Sequence, residues 1–182
     1  MSRQYWSEAL GWVVADGVAV SATVTETILF PNITIPANFM QDGRILRFTA
    51  YGRHTSAAQT VIFRMRWGGV AGTIICASPT VTAPTATAGI WKHEGIIQTR
   101  TNGATGTLFG INDIVLADDA AHSAGSATSV PALGLGGSAG VATPSTATVD
   151  LTADTALSMT IQFGTAASNA ATGHIYILEG LN

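Results

Sequence analysis

Charge is scarce in this chain. Of 182 residues only 10% are Asp, Glu, Lys or Arg, and one lysine, Lys92, stands beside seven arginines. The formal net charge is −3, so the basic excess on which phosphate-backbone binding depends is missing and no nucleic-acid partner is expected. Cysteine is scarcer still. Cys76 has no second cysteine to pair with, and inside the apolar run TIICAS, with no basic neighbour to favour the thiolate, it is expected to be a buried small hydrophobe. Long hydrophobic runs are also absent: nothing reaches the roughly 18 apolar residues of a membrane span. The opening MSRQYWSEALGW has no apolar signal-peptide core. No membrane partner is expected, and synthesis is expected in a cytoplasm.

The residue patterns of common chemistry are missing too. His54, His93, His122 and His174 are not at metal-ligand spacing, and the HEG at 93–95 lacks the second histidine of a zinc-binding helix. On a strand, His93 and Glu94 would point to opposite faces. Many serines are present, but none lies in a GxSxG elbow. Glu94 and Asp150 could be offered as the acid pair of a glycoside hydrolase, but a solvated strand face accounts for both. Asp118 and Asp119 lack the oxygen-rich spacing of a calcium loop. The glycines follow turns rather than opening helices, so no phosphate cradle is expected. The expectation is no enzyme, no cofactor and no metal.

What the chain does have is alternation. Hydrophobic residues make up 47%, and 20 glycines punctuate them. In 42–69, Leu46, Phe48 and Ala50 alternate with Ile45, Arg47, Thr49 and Tyr51. Val61, Phe63, Met65 and Trp67 alternate with Ile62, Arg64 and Arg66. A period of two, repeated across a polar link at 52–59, predicts a central β-hairpin. Ile97 and Thr99 alternate with Glu94, Ile96, Gln98 and Arg100. The turn TNGATG at 101–106 leads to TLFGINDIVLA, where Gly110 suggests a bulge. Near the end Val149 and Leu151, then Leu157, Met159, Ile161 and Phe163, mark inward faces, and Ile175 and Ile177 alternate with His174, Tyr176 and Leu178. Eight to ten strands with no interior helix, joined by long proline-bearing links at 79–88 and 118–145, predict an all-β, antiparallel two-sheet sandwich, jelly-roll-like.

One domain is expected over 25–182, preceded by a segment 1–24 that is either a packed strand or an N-terminal arm. Its Tyr5, Trp6 and Trp12 would serve an arm as anchors, since aromatic side chains bury large area at low entropic cost. The segment 118–145 is rich in Ala, Gly and Ser. It is expected to be a surface loop or an excursion ordered only by a partner subunit. Arg47, Arg64 and Arg66 are expected on one outward face of the hairpin, either matched by outward acids such as Asp150 and Glu94 or presented to the carboxylates of a partner.

The run TETILFPNITIPANFMQDGRILRFTAYGRHTS, with VIFRMRWGGVAGTIICAS and IWKHEGIIQTRTNGATGTLF after it, resembles small jelly-roll structural proteins of tailed bacteriophage virions. The likeness spans roughly residues 25–109 and is one of strands and turns, not of catalytic groups. It implies a homotrimer and one of two roles. The first is a capsid decoration, or cement, protein bound to the major capsid protein on the outside of the phage head. The second is the receptor-binding head or adaptor of a tail fibre or spike. The chain has no coiled-coil or repetitive stalk, which favours decoration.

Overall fold

The computed structural model describes residues 7–118, 129–135 and 145–181, and over them the chain is all β. Two antiparallel sheets pack as a sandwich. The larger runs β1 (Ser7–Trp12), β14 (Ala170–Leu181), β5 (Ile45–Ser56), β9 (Ala86–Thr101), β10 (Gly106–Ala117) and β11 (Ser129–Leu135), with β2 (Val20–Ser21) also on β14 and β12 (Ala147–Val149) also on β10. The smaller runs β3 (Thr27–Ile28), β13 (Thr155–Phe163), β6 (Thr60–Trp67) and β7 (Thr73–Ala77), with β4 (Ile33–Ile35) on β13 and β8 (Val81–Thr82) on β6. Fourteen strands among the described residues exceed the expected eight to ten, because β2, β3, β4, β8 and β12 are only two or three residues long.

The expected central hairpin is not one. Both arms form, as β5 and β6, but β5 pairs with β14 and β9 while β6 pairs with β13, β7 and β8. The chain turns at 57–59, with Ala58 at φ 58°, and climbs from one sheet to the other. The inward residues therefore face each other across the core instead of lying side by side. Alternation reports which face of a strand is buried and is silent about its hydrogen-bonding neighbour.

The core follows the alternation closely. Leu46, Phe48, Val61, Phe63, Met65, Leu157, Met159, Ile161 and Phe163 are all buried in one cluster. Trp91 of β9 lies at its centre, fully buried, with ring centroids 5.2 Å from Phe63 and 6.1 Å from Phe30. Its indole N–H donates to the Arg53 carbonyl at 3.1 Å, so the one polar atom of this side chain is satisfied. Gly52, expected in a turn, lies within β5 opposite Gly173. A Cβ there would sit 2.5 Å from the Trp91 ring and 2.0 Å from the Thr172 carbonyl oxygen, so only glycine admits the indole. Gly110 is not a bulge either: the register of β10 against β9 shifts at Thr107/Leu108. A Cβ at Gly110 would meet Cys76 of the facing sheet at 2.9 Å, and close approach of the two sheets is the reason for glycine.

Two further segments bear on the sequence reading: in 1–24 the described part is the packed strand of the two alternatives, and 118–145 differs from expectation. The described part of 1–24 is stitched to the larger sheet: Ser7–Trp12 pairs with β14 from Leu181 to Ile177, and Val20–Ser21 pairs with Ala170–Ala171. Within 118–145, Ser129–Leu135 forms β11 and pairs with Ile111–Ala117 of the same chain, so this piece needs no partner subunit to order it. The pairing rests on backbone hydrogen bonds at an edge, where Pro131 is tolerated. The rest of that segment lies outside the described residues. The hairpin joining β9 and β10 forms at the expected TNGATG, with Gly103 at φ 103°. After β7 the chain adds β8 to the smaller sheet and then crosses to β9 of the larger.

Candidate interaction surface

The three arginines expected on one face are divided between the outer faces of the two sheets. On the smaller sheet Arg64 and Arg66 are neighbours on β6, and both turn to one carboxylate, Glu26, at the entry to β3. Glu26 accepts from Arg64 Nη1 at 3.0 Å, from Arg66 Nε at 2.5 Å and Nη2 at 2.6 Å, and from Thr160 Oγ1 at 2.5 Å. Arg66 Nη1 also donates to the Gly72 carbonyl at 2.6 Å. Burial pushes the Glu26 carboxyl up, but the hydrogen bonds from Arg66 and Thr160 and the charges of Arg64 and Arg66 outweigh it and hold the group below the usual carboxylate range. Beside this clasp Ser158 donates to Asn32 Oδ1 at 2.6 Å. The outer face of the smaller sheet is thus closed by its own polar groups. The acids weighed from sequence do not take part: Glu94 is held by Lys92, and Asp150 accepts from the Thr152 amide and hydroxyl.

The larger sheet presents the opposite character. Arg47 lies here, with its Nε donating to Glu179 Oε2 at 2.8 Å across the β5–β14 pair. Lys92 Nζ donates to Glu94 Oε1 at 2.6 Å along β9. Around these pairs many of the outward positions are apolar: Ile177 opposite Trp12, Ile175 opposite Tyr51, and Ile96 opposite Arg47 and Ile111. Trp12 is 63% exposed, Ile175 48%, Ile96 and Ile177 40% each, and Tyr51 and Ile90 37% each. Those values matter because isolated exposed apolar side chains are ordinary, whereas six on adjoining strands of one flat face form a patch. Sequence reasoning missed half of it. The segment HIYILEG is apolar on both sides, so its alternation cannot say whether Ile175 and Ile177 or Tyr176 and Leu178 face inward. The structure buries Tyr176 and Leu178.

Of the expected anchors, Trp12 lies at the rim of this patch, on edge strand β1 beside Ile177. Tyr5 and Trp6 lie outside the described residues. Trp12 and Arg47 therefore share a face, and Arg64 and Arg66 belong to the other side of the sandwich.

Among the described residues, two histidines and the cysteine are buried. His93 faces inward, as expected from its strand position, and is fully buried beside Phe48 and Phe63, with ring centroids 5.1 and 5.5 Å away. The Asn112 amide Nδ2 donates to its Nε2 at 2.9 Å, and burial pushes the imidazole down to about 3. His54 Nε2 donates to the Ala117 carbonyl at 3.0 Å, and burial lowers it too. Cys76 is fully buried and its thiol is pushed up to about 12. Among the described residues no three His, Cys, Asp or Glu side chains gather as a metal set. A depression at one end of the sandwich is lined by Thr55, Ser56, Ala57, Thr85, Ala86 and Asp118, among others. No protein-family model, curated protein or solved structure matches the chain.

Proposed function

We propose that this protein is a non-enzymatic virion structural protein of a tailed bacteriophage, a capsid decoration protein that binds the outside of the assembled head and stabilises it. The observation that supports this reading best is the apolar-rich outer face of the larger sheet, a broad surface suited to contact with other protein. The resemblance over residues 25–109 supplies the phage setting and the expectation of a homotrimer. Stabilisation of this kind requires only that many copies bind the assembled head and not its dissociated subunits, since preferential binding shifts the equilibrium by mass action. No catalytic group is needed.

The test begins with the neighbouring genes. If one encodes a major capsid protein, heads assembled from it are mixed with this protein, and occupancy and the temperature of head disruption are measured. Saturable occupancy with a raised disruption temperature is the expected result. Absence of binding to heads, together with binding to host-cell glycans, would replace this reading with the receptor-binding head of a tail fibre.

A further inference from the structure

The polar closure of one outer face and the apolar exposure of the other point to different fates for the two sides of the sandwich. We infer that the outer face of the larger sheet, centred on Tyr51, Ile96, Ile175 and Ile177, is a self-association surface, and that its occupant is a second copy of this chain.

Size is the first argument. Five strands, β1, β14, β5, β9 and β10, lie side by side, and at about 4.8 Å per strand they span about 24 Å. Along β5 the outward positions from Ile45 to Arg53 cover about 26 Å at roughly 3.3 Å per residue. The product is about 600 Å² in projection for the whole face, charged positions included, which approaches the roughly 800 Å² that each partner buries in a standard interface. An apolar-rich face of this extent matches the largest patches found on monomers, which are often functional.

Charge is the second argument, and it selects the occupant. The outward charges of this face, by strand register and contact, are Arg47 and Arg53 on β5, Lys92, Glu94 and Arg100 on β9, Asp113 on β10 and Glu179 on β14. Four cations stand against three anions, so the face is close to neutral. A strongly acidic or basic partner would find little net attraction there. A copy of the same face finds more, because the arginine column of β5 can meet the acidic pair Glu94 and Asp113, which adjoin across β9 and β10. The Arg47–Glu179 and Lys92–Glu94 pairs enter such a contact already satisfied, which limits the cost of removing them from water. Trp12 at the rim adds an aromatic side chain of the kind that dominates interface energetics.

A face that meets its own copy closes across a two-fold axis, so this contact is additional to the trimer expected in the proposed function; its test uses no capsid, so its failure leaves the head-binding test standing. Sedimentation velocity is run on the whole chain from about 1 to 100 μM, with Ile177→Lys and Ile96→Lys on two different strands of the face and Ile62→Lys on the outer face of the smaller sheet. Circular dichroism checks each fold; these sites point outward, and two strands are sampled so that one misfolded variant does not end the test. The wild type and Ile62→Lys should form the same discrete oligomer, while Ile177→Lys and Ile96→Lys weaken association by about 100-fold or more. A wild type that stays monomeric at 100 μM, or an oligomer indifferent to both face variants, overturns the inference and leaves the face to another partner or to residues of its own chain.

Discussion

Replacing Glu26 by Gln should open the clasp that ties β3 to β6 and β13. The carboxylate accepts four hydrogen bonds, three of them from two arginines, and its side chain is 15% exposed beside Arg64 at 10% and Arg66 at 14%. An exposed ion pair contributes about 0–1 kcal/mol, and breaking a fully buried one costs about 3–5 kcal/mol. The exposure here lies near the buried limit. The Gln side chain keeps the shape and one acceptor oxygen but leaves two guanidinium groups adjacent with no counter-charge. A loss of about 2–4 kcal/mol follows, and at about 2–4 °C per kcal/mol for a chain of this size the melting temperature falls by roughly 5–15 °C.

The same clasp predicts a pH signature. Because the folded-state Glu26 carboxyl lies below its ordinary 4.5, its contribution is fully present above pH 4.5 and is lost as the pH falls through the lower, folded-state value. Thermal melts of wild type and Glu26→Gln from pH 7 down to pH 3 isolate it, since every other titrating group is shared. The two melting temperatures should be well separated at pH 7 and converge at the acid end. A separation that is constant with pH, or one below about 2 °C at pH 7, would refute the argument from the buried charge. The double variant Glu26→Gln, Arg64→Met should recover part of the loss, because Arg64 is itself lowered by burial and by Arg66 and is raised only by Glu26.

Other expectations follow from the core and its edges. Phe63→Ala, at a fully buried site against Trp91, should cost about 3–5 kcal/mol in denaturant melts. Gly52→Ala places a methyl against the Trp91 ring and the Thr172 carbonyl and should reduce stability at least as much, with soluble yield as a second readout. Cys76 should resist thiol reagents in the native protein and react only at the rate of unfolding, so labelling that outpaces unfolding would contradict its burial. His93, pushed down to about 3 from 6.5, favours the folded state fully above pH 6.5 and progressively less as the pH falls toward 3; melting temperatures that do not change between pH 6.5 and pH 5 would count against it.

The inward face of nearly every long strand was legible because a period of two survives any choice of neighbour. Leu46, Phe48, Phe63, Met65 and Ile161 are buried as their spacing requires. Strand partners were not legible. The short link at 57–59 suits a hairpin as well as a crossing, and only the competition of β13 and β14 for the edges of β6 and β5 decides it. The arginine clasp was half legible: the parity of Arg64 and Arg66 put them outward, but the partner, Glu26, sits in irregular chain before a two-residue strand and carries no periodic signal. Strand β11 was invisible for a different reason. Its SVPALGL has little β propensity and is held by the backbone of β10.

The scarcity of charge gains a physical meaning from where the charges went. Glu26, Arg64 and Arg66 form one internal clasp; Arg47 with Glu179 and Lys92 with Glu94 form two more pairs. What remains outward on the larger sheet mixes Ile, Tyr and Trp with Thr49, Arg53, Gln98, Arg100 and Asp113. Solubility of a lone subunit depends on exposed, unpaired charge of one sign, which repels its own kind. A nearly neutral face, two of whose ion pairs are internal, offers little such repulsion, and burying its isoleucines gains about 25 cal/mol for each Å² removed from water. On the proposal made above, contact with other protein is what covers the apolar part of this face, and that is the reason to look for the function in an assembly.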